Sequence, residues 1–307
     1  MAERKGISIN IGLNEVDPGS YNSWPGRLNV AESDARAMFA IAQRRHFRSR
    51  LFLSRDATLP NITYAIRGAA TDLDPGDILL LTYAGHGSQA RDRDGDELDD
   101  LDETWLLYDD PLSDDRLHSM WADFREGVRI FVLSDSCHSG TVIKLAEYES
   151  LLSRKSEYRS FLERMLAEGE DLSDEALRAE AFSSSQSDDD PIRVRTPPYE
   201  VRVKLETQAR YERIRKGPRG DDDGSIRASV ILISACMDNQ LAYEDRRSGH
   251  GKFTSKLLTV WDNGAFTGNY REFHARIKSL CPSIQTPCFD TTGVPNPDFE
   301  MQTPFTI

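Results

Sequence analysis

Four consecutive apolar residues, Ile130, Phe131, Val132 and Leu133, run straight into Ser134, Asp135, Ser136, Cys137, His138, Ser139 and Gly140. An unbroken run of this kind, bounded by Gly127 and Gly140, predicts a strand buried on both faces. Such a strand needs neighbours in a sheet and cover above and below it. That excludes a one-sided antiparallel sheet and points to a parallel sheet clothed by helices. The carboxyl ends of strands in open α/β sheets are where ligands and reacting groups sit, so Cys137 is expected at that edge. A second stretch has the same form: Ile78 to Tyr83 is almost wholly apolar and leads into Ala84, Gly85, His86, Gly87 and Ser88. If the two strands are parallel neighbours, His86 faces Cys137. An imidazole beside a thiol can take its proton and later return one to a leaving amine. The N–H groups of Gly87 and Cys137 are then candidates for an oxyanion hole.

The rest of the chain fits the same plan. The pattern predicts a strand over 6–13, a loop over 17–26, a helix over 28–45, a short strand over 51–53 and a helix over 61–70, then a turn at Asp74-Pro75-Gly76-Asp77 before the His86 strand. Residues 121–124 read as a short helix end. A buried strand over 228–234 follows much later, with helices over 251–261 and 270–279. The last strand is expected at 302–307 or at 284–287. Strands alternating with helices give an α/β fold with a mainly parallel central sheet and helices on both faces.

Composition bounds the partners. The chain has 307 residues and a net charge of −13, which disfavours nucleic acid, whose affinity depends on Lys and Arg neutralising phosphates. No stretch approaches the roughly 18 apolar residues of a membrane span, and the start lacks the long apolar core of a secretory signal. Four cysteines, Cys137, Cys236, Cys281 and Cys288, are too few and too scattered for a disulfide scaffold or a zinc site. A free thiol suits a reducing, cytoplasmic setting.

The segments Tyr83-Ala84-Gly85-His86-Gly87-Ser88-Gln89 and Asp135-Ser136-Cys137-His138-Ser139-Gly140 resemble the two signature segments of the caspase-like cysteine peptidases, the metacaspases in particular. His86 and Cys137 are 51 residues apart, close to the ~50 of the caspase pattern. The stretch from Ser234-Ala235-Cys236 through Gln240, Ala242 and Glu244 is similar to the family's small-subunit segment, as is Gly251-Lys252-Phe253-Thr254 opening a helix. The resemblance implies a Cys–His dyad, without a third orienting residue, that hydrolyses protein or peptide substrates. It implies a cut after Arg or Lys, with Asp135 and, in the first helix, Asp34 as acids of the pocket that holds the cation; Ala31 stands where the family has a cysteine three residues before Asp34. A carboxylate there would pair with arginine bidentately. The chain begins almost at its first strand, so the form expected is prokaryotic-looking and without an N-terminal prodomain. A monomer is expected. The alternatives are a related protease, paracaspase or separase-like, and a non-catalytic caspase homologue acting as scaffold or regulator.

Residues 91–103 carry the densest acidic run in the chain. So many carboxylates repel one another unless a cation sits among them. The run resembles the acidic loop of metacaspases that precedes a strand, here 104–108, ending in aspartates. By that resemblance Asp109 and Asp110 are calcium candidates, with Asp99 and Asp102 beside them. An acidic ligand expected several residues after the cysteine has no clear counterpart, since Lys144 lies there.

The chain divides into a part resembling a large subunit, 1–144, an insertion, 145–225, and a part resembling a small subunit, 226–307, the outer two forming one catalytic domain. The insertion opens with a helical, amphipathic stretch to about 180, then turns into a low-complexity run over 183–191. It carries Arg154, Lys155, Arg193, Arg195, Arg213, Arg215, Lys216 and Arg219. A protease of basic specificity could cut itself there, so a zymogen matured by self-processing, or by an activating protease, is expected.

Overall fold

The computed structural model describes residues 4–91, 101–136, 192–198, 201, 205, 225–237, 240–245 and 248–307. At its centre is a six-stranded sheet. In chain order its strands are β1 (Gly6–Gly12), β2 (Arg48–Leu53), β3 (Ile78–Ala84), β7 (Arg129–Asp135), β9 (Ser229–Ser234) and β12 (Cys288–Gly293). Their spatial order is β12-β9-β7-β3-β1-β2. All neighbouring pairs are parallel except β9 with β12. The chain leaves β1 to one side for β2 and crosses to the other for β3, which puts the topological switch point between β1 and β3.

Burial explains the apolar runs. All seven residues of β1, of β3 and of β7 are buried. One face is covered by α2 (Leu59–Asp72) and α3 (Asp114–Trp121), through Ile62, Ile66, Leu117 and Met120. The other is covered by α1 (Ala31–Arg44), α4 (Lys252–Trp261) and α5 (Tyr270–Leu280), through Met38, Ile41, Phe253, Leu257, Phe273 and Ile277. The helices start where the chemistry allows: Thr58 caps α2, Ser113 caps α3, and Asn269 with Glu272 forms a capping box on α5.

Two small sheets flank the central one. β4 (Gly87–Arg91), β5 (Leu101–Leu106) and β6 (Pro111–Ser113) form one, antiparallel throughout. β8 (Ile192–Val194), β10 (Tyr243–Asp245) and β11 (His250–Gly251) form the other. β5 begins earlier and ends earlier than the strand expected at 104–108.

Neither expected C-terminal strand is present. The edge strand is β12, just after 284–287, antiparallel to β9. Its sequence, CFDTTG, is largely exposed and polar, so it carries none of the apolar pattern that marks a buried strand. Residues 302–307 form no strand, yet they enter the core. Phe305 is fully buried and packs on Phe131, Trp261 and Phe273 at ring separations of 5.5, 4.8 and 5.8 Å. The buried Arg129 holds this tail from the start of β7, through the Gln302 side chain and the Thr306 carbonyl.

Candidate active site

β3 and β7 lie side by side in parallel register, with Ala84 opposite Asp135. His86 stands two residues past Ala84. Cys137, two residues past Asp135 in the sequence, lies outside the described residues. The turn that leads to it is well anchored. The Ser134 hydroxyl accepts from Trp105 Nε1 at 3.0 Å and meets the Ser136 hydroxyl at 2.9 Å. Cys236 Sγ reaches the Ser136 carbonyl at 3.6 Å.

His86 is buried, and its surroundings set its tautomer. Nε2 lies 3.1 Å from the Gly26 carbonyl, which can only accept, so Nε2 carries the proton. Nδ1 is then the basic nitrogen; it is buried and has no hydrogen-bond partner among the described residues. The ring packs on Trp24 at 4.6 Å between centroids. The backbone is pinned as well, for the His86 carbonyl accepts from Tyr83 Oη at 2.7 Å and from the Leu106 N–H at 2.9 Å. Burial pushes the imidazole down to about 3, against the pull of the Gly26 carbonyl and with the added push of the nearby Arg195 and Arg193 cations. His86 is therefore neutral at pH 7, the form a general base requires. The Gly26 carbonyl is an orienting group that no side-chain pattern in the sequence could reveal. Gly26 adopts φ +55° at the end of a Trp-Pro-Gly turn, and an added Cβ would sit 2.8 Å from Val16.

Beside His86 lies a second buried cluster. Asp34, from the first turns of α1, Asp135, from the end of β7, and Glu244, from β10, converge on the guanidinium of Arg195. Arg195 is fully buried, and the three carboxylates are at most 2% exposed. Its Nη2 bonds Asp34 Oδ2 at 2.5 Å and lies 3.8 Å from Glu244 Oε2. Nη1 lies 3.0 Å from Asp135 Oδ1 and donates to the Asp135 carbonyl at 2.7 Å. Further donors hold each carboxylate. Thr254 gives its N–H and hydroxyl to Asp135 at 3.1 and 2.6 Å. Asn29 and Val30 give their N–H groups to Glu244 at 2.5 and 3.3 Å. Gly251 N–H lies 3.2 Å from both oxygens of Asp34, and His250 Nδ1 lies 2.8 Å from Oδ1.

Three carboxylates in so dry a place carry an electrostatic cost. Burial raises Asp135 and Glu244 above the usual carboxylate range, although Arg195 pulls both down. Burial works against the Arg195 charge too, and the three carboxylates outweigh it and hold the guanidinium protonated. The hydrogen bond to Asp34 raises His250. The three carboxylates thus hold a planar cation with several donors, the guanidinium of Arg195. Gly251 forms a wall of this cluster: a Cβ there would lie 2.5 Å from Asp135 Oδ2 and 2.7 Å from Arg195 Nη2.

The sequence reading pointed to Asp34 and Asp135, and the two are brought together here. Glu244 it had only as part of a segment, without a role, and Arg195 only as one of several basic residues named in the insertion. Gly87 N–H donates to the Arg195 carbonyl at 2.9 Å. The other oxyanion candidate, the N–H of Cys137, is outside the described residues.

A caspase-domain family model matches residues 16–296, most of the chain. The chain belongs to the caspase-domain family. Among curated relatives, metacaspase-1 of Saccharomyces cerevisiae is 42% identical over 98 residues, covering 30% of this chain and 23% of that protein. Metacaspase-1 of Kluyveromyces lactis is 35% identical over 153 residues, covering 45% of this chain and 34% of its own. This caspase-domain chain therefore matches only about a quarter to a third of those relatives' length. A crystal structure of a Geobacter sulfurreducens protein matches it with TM-score 0.76, 39% identity and 98% of both chains covered. Caspase-1 of Spodoptera frugiperda matches at TM-score 0.53 and 10% identity over 95% of this chain and 90% of its own, a likeness of fold.

The calcium candidates are not assembled into a cage by what is described. Asp109 Oδ1 accepts the Leu59 N–H at 2.7 Å, at the start of α2. Asp99 lies outside the described residues, as does the side chain of Asp102. Among the described residues no group of three or more His, Cys, Asp or Glu side chains is placed to hold a metal ion, and no step below runs through one. No described helix is long and apolar enough to cross a membrane.

Proposed function

We propose that the chain is a cysteine endopeptidase that cuts peptide bonds after arginine, and more weakly after lysine. One observation carries this reading: a guanidinium held by Asp34, Asp135 and Glu244 belongs to a residue whose own carbonyl accepts from Gly87 N–H, next to His86. A buried arginine with a purely structural role has no need to present its carbonyl at that position. A substrate residue must do both at once: its side chain fills the pocket and its carbonyl is polarised beside the base.

The chemistry then runs as follows. Nδ1 of His86, whose lone pair is directed by the Gly26 contact on Nε2, takes the thiol proton of Cys137. The thiolate adds to the carbonyl carbon of the residue in the carboxylate pocket. Gly87 N–H stabilises the negative charge that develops on its oxygen, a contribution on the order of 3 kcal/mol for one such donor. The His86 imidazolium protonates the departing amine nitrogen, the C–N bond breaks, and water hydrolyses the thioester with His86 as base.

Lysine reaches the same carboxylates as a point charge and cannot make the paired contacts of Nη1 and Nη2. The test is hydrolysis of fluorogenic peptides ending in Arg, Lys or Asp by wild type and Cys137→Ala. Turnover in the order Arg, then Lys, with none after Asp and none in the variant, is expected. Turnover after Asp, or turnover retained in Cys137→Ala, would overturn the reading. Calcium or a chelator added to the same assay reads whether the acidic run near Asp109 and Asp110 acts on the site.

A further inference from the structure

Away from the catalytic edge, the chain gathers positive charge in one place. A cleft of about 890 Å³ opens where β1 and β2 start and α1 ends. Arg4, Lys5, Arg44, Arg45, His46 and Arg48 line it. Asp72 is the one acidic side chain in that lining, and Ile7 and Ile307 supply its apolar part. A net charge of −13 gives no hint of such a concentration of cations.

Part of this charge is engaged within the fold. Lys5 Nζ lies 3.2 Å from Asp74 and 4.0 Å from Asp77. Arg48 pairs with Asp72. Arg45 holds the tail, donating to the Phe305 carbonyl at 3.0 Å and the Thr306 hydroxyl at 3.2 Å. Arg44 stands in the last turn of α1, where a cation suits the carbonyl end of a helix. That preference explains a cation at this position and supplies no counter-charge for it. Arg4 and Arg44 are both exposed, and among the described residues neither has a hydrogen-bond or ion-pair partner. They come from opposite ends of the stretch β1–α1 and open on the same cleft. Arg4 also adds to the effect of burial in pushing the buried Arg129 down.

We propose that this cleft binds a small molecule carrying two or more linked phosphates. Four of its five fixed cations are arginines, whose planar fork matches phosphate oxygens in pairs. A lone carboxylate occupies one such fork; linked phosphates present oxygens to several cations at once. Most ligand pockets are apolar with a few polar groups, and this one inverts that balance, so its ligand is itself densely charged. The volume lies within the roughly 300–1,000 Å³ of small-molecule sites. A nucleic acid or an anionic membrane would extend past the cleft over a surface of like charge. The site is also separate from the catalytic one. β1, β3 and β7 are parallel, so the start of β1 lies at the sheet edge opposite His86, about 20 Å away along a seven-residue strand.

The experiment is calorimetric titration of the purified full-length protein in metal-free buffer of low ionic strength. Inorganic triphosphate is the probe, with ATP and an oligoglutamate peptide titrated alongside. One triphosphate per chain is expected, and the peptide should bind far more weakly. ATP should bind at least as tightly as triphosphate if the natural ligand is a nucleotide, and more weakly if it is inorganic. Arg4→Ala and Arg44→Ala should each weaken triphosphate by about tenfold or more, the loss of one charge-assisted contact. Arg44→Lys keeps the charge without the fork and should lose less. Both side chains are exposed, so the variants should melt as the wild type does, and hydrolysis of an Arg-ending peptide should be unchanged because neither touches the catalytic groups. The binding readout stands whether or not the functional reading does. Absence of triphosphate binding, or undiminished affinity in the Arg4→Ala, Arg44→Ala double variant, would overturn the proposal. So would equal binding of the glutamate peptide, which would mark a patch for an acidic protein partner.

Discussion

Replacing Asp34 by asparagine removes one negative charge from the carboxylate pocket and changes almost nothing in shape. Asp34 is buried and its Oδ2 lies 2.5 Å from the guanidinium. Removing one partner of a buried, hydrogen-bonded charge pair costs about 3–5 kcal/mol. Asp135 at 3.0 Å and Glu244 at 3.8 Å still attract the cation, so the lower end applies. About 3 kcal/mol corresponds to roughly a 150-fold fall in kcat/KM for an Arg-ending peptide. The pocket grips the side chain equally before and during reaction, so most of the loss belongs in KM. The substitution leaves His86 and Cys137 themselves unchanged, so alkylation of Cys137 by a small neutral reagent should keep its wild-type rate. The assay is initial-rate kinetics on an Arg peptide, with the alkylation rate measured alongside. A loss below about fivefold in kcat/KM, or an equal loss of alkylation, would refute the argument that Asp34 acts through the cation it holds.

Three further outcomes are expected. A peptide with the sequence Ile-Arg-Val-Arg should be cut about 10–100-fold faster than Ile-Arg-Asp-Arg, because the position of Val194 is buried and apolar and burying such a side chain contributes about 1.5–3 kcal/mol; equal kcat/KM values would show that this position is not read. Gly251→Ala places a methyl 2.5 Å from Asp135 Oδ2, and since packed sites tolerate such overlap poorly, hydrolysis after Arg should fall at least tenfold with Cys137 alkylation unchanged; normal kinetics would mean that the wall yields. His86, held down to about 3 by burial, stays neutral in the folded chain while the unfolded chain protonates it near 6.5, so its contribution to stability is full above pH 6.5 and is lost as pH falls toward 3. The loss is at most about 5 kcal/mol, and denaturant melts of wild type and His86→Gln across that range should converge by that order; parallel curves would contradict the burial argument.

What was legible in the sequence was whatever burial writes into it. β3 and β7 are buried on both faces, so their apolar runs stand out, and each leads into one of the two signature segments. The parallel pairing of those two strands follows from the same pattern. The edge strand β12 is exposed, so it looks like loop, while the buried tail at Phe305 looks like strand and is not. In the site, Asp34 and Asp135 could be named because each stands in a recognisable segment. Glu244 stood in one too, but its role depends on β10 meeting the two residues just before α1, a contact between residues more than 200 positions apart. The Gly26 carbonyl could not be found at all, since every residue has one. Arg195 was hidden among other basic residues, because spacing says nothing about which of them reaches the pocket.

The central claim joins a thiol at position 137 to a pocket that accepts arginine. An active-site-directed peptide chloromethyl ketone tests both parts at once, followed by peptide mapping of the labelled protein. The account predicts one equivalent of adduct on Cys137 with the Arg-ending reagent, little with its Asp-ending counterpart, and a marked slowing of labelling by the Arg reagent in Asp34→Asn. Equal labelling by both reagents, or an adduct found on Cys236, Cys281 or Cys288 in place of Cys137, would contradict it.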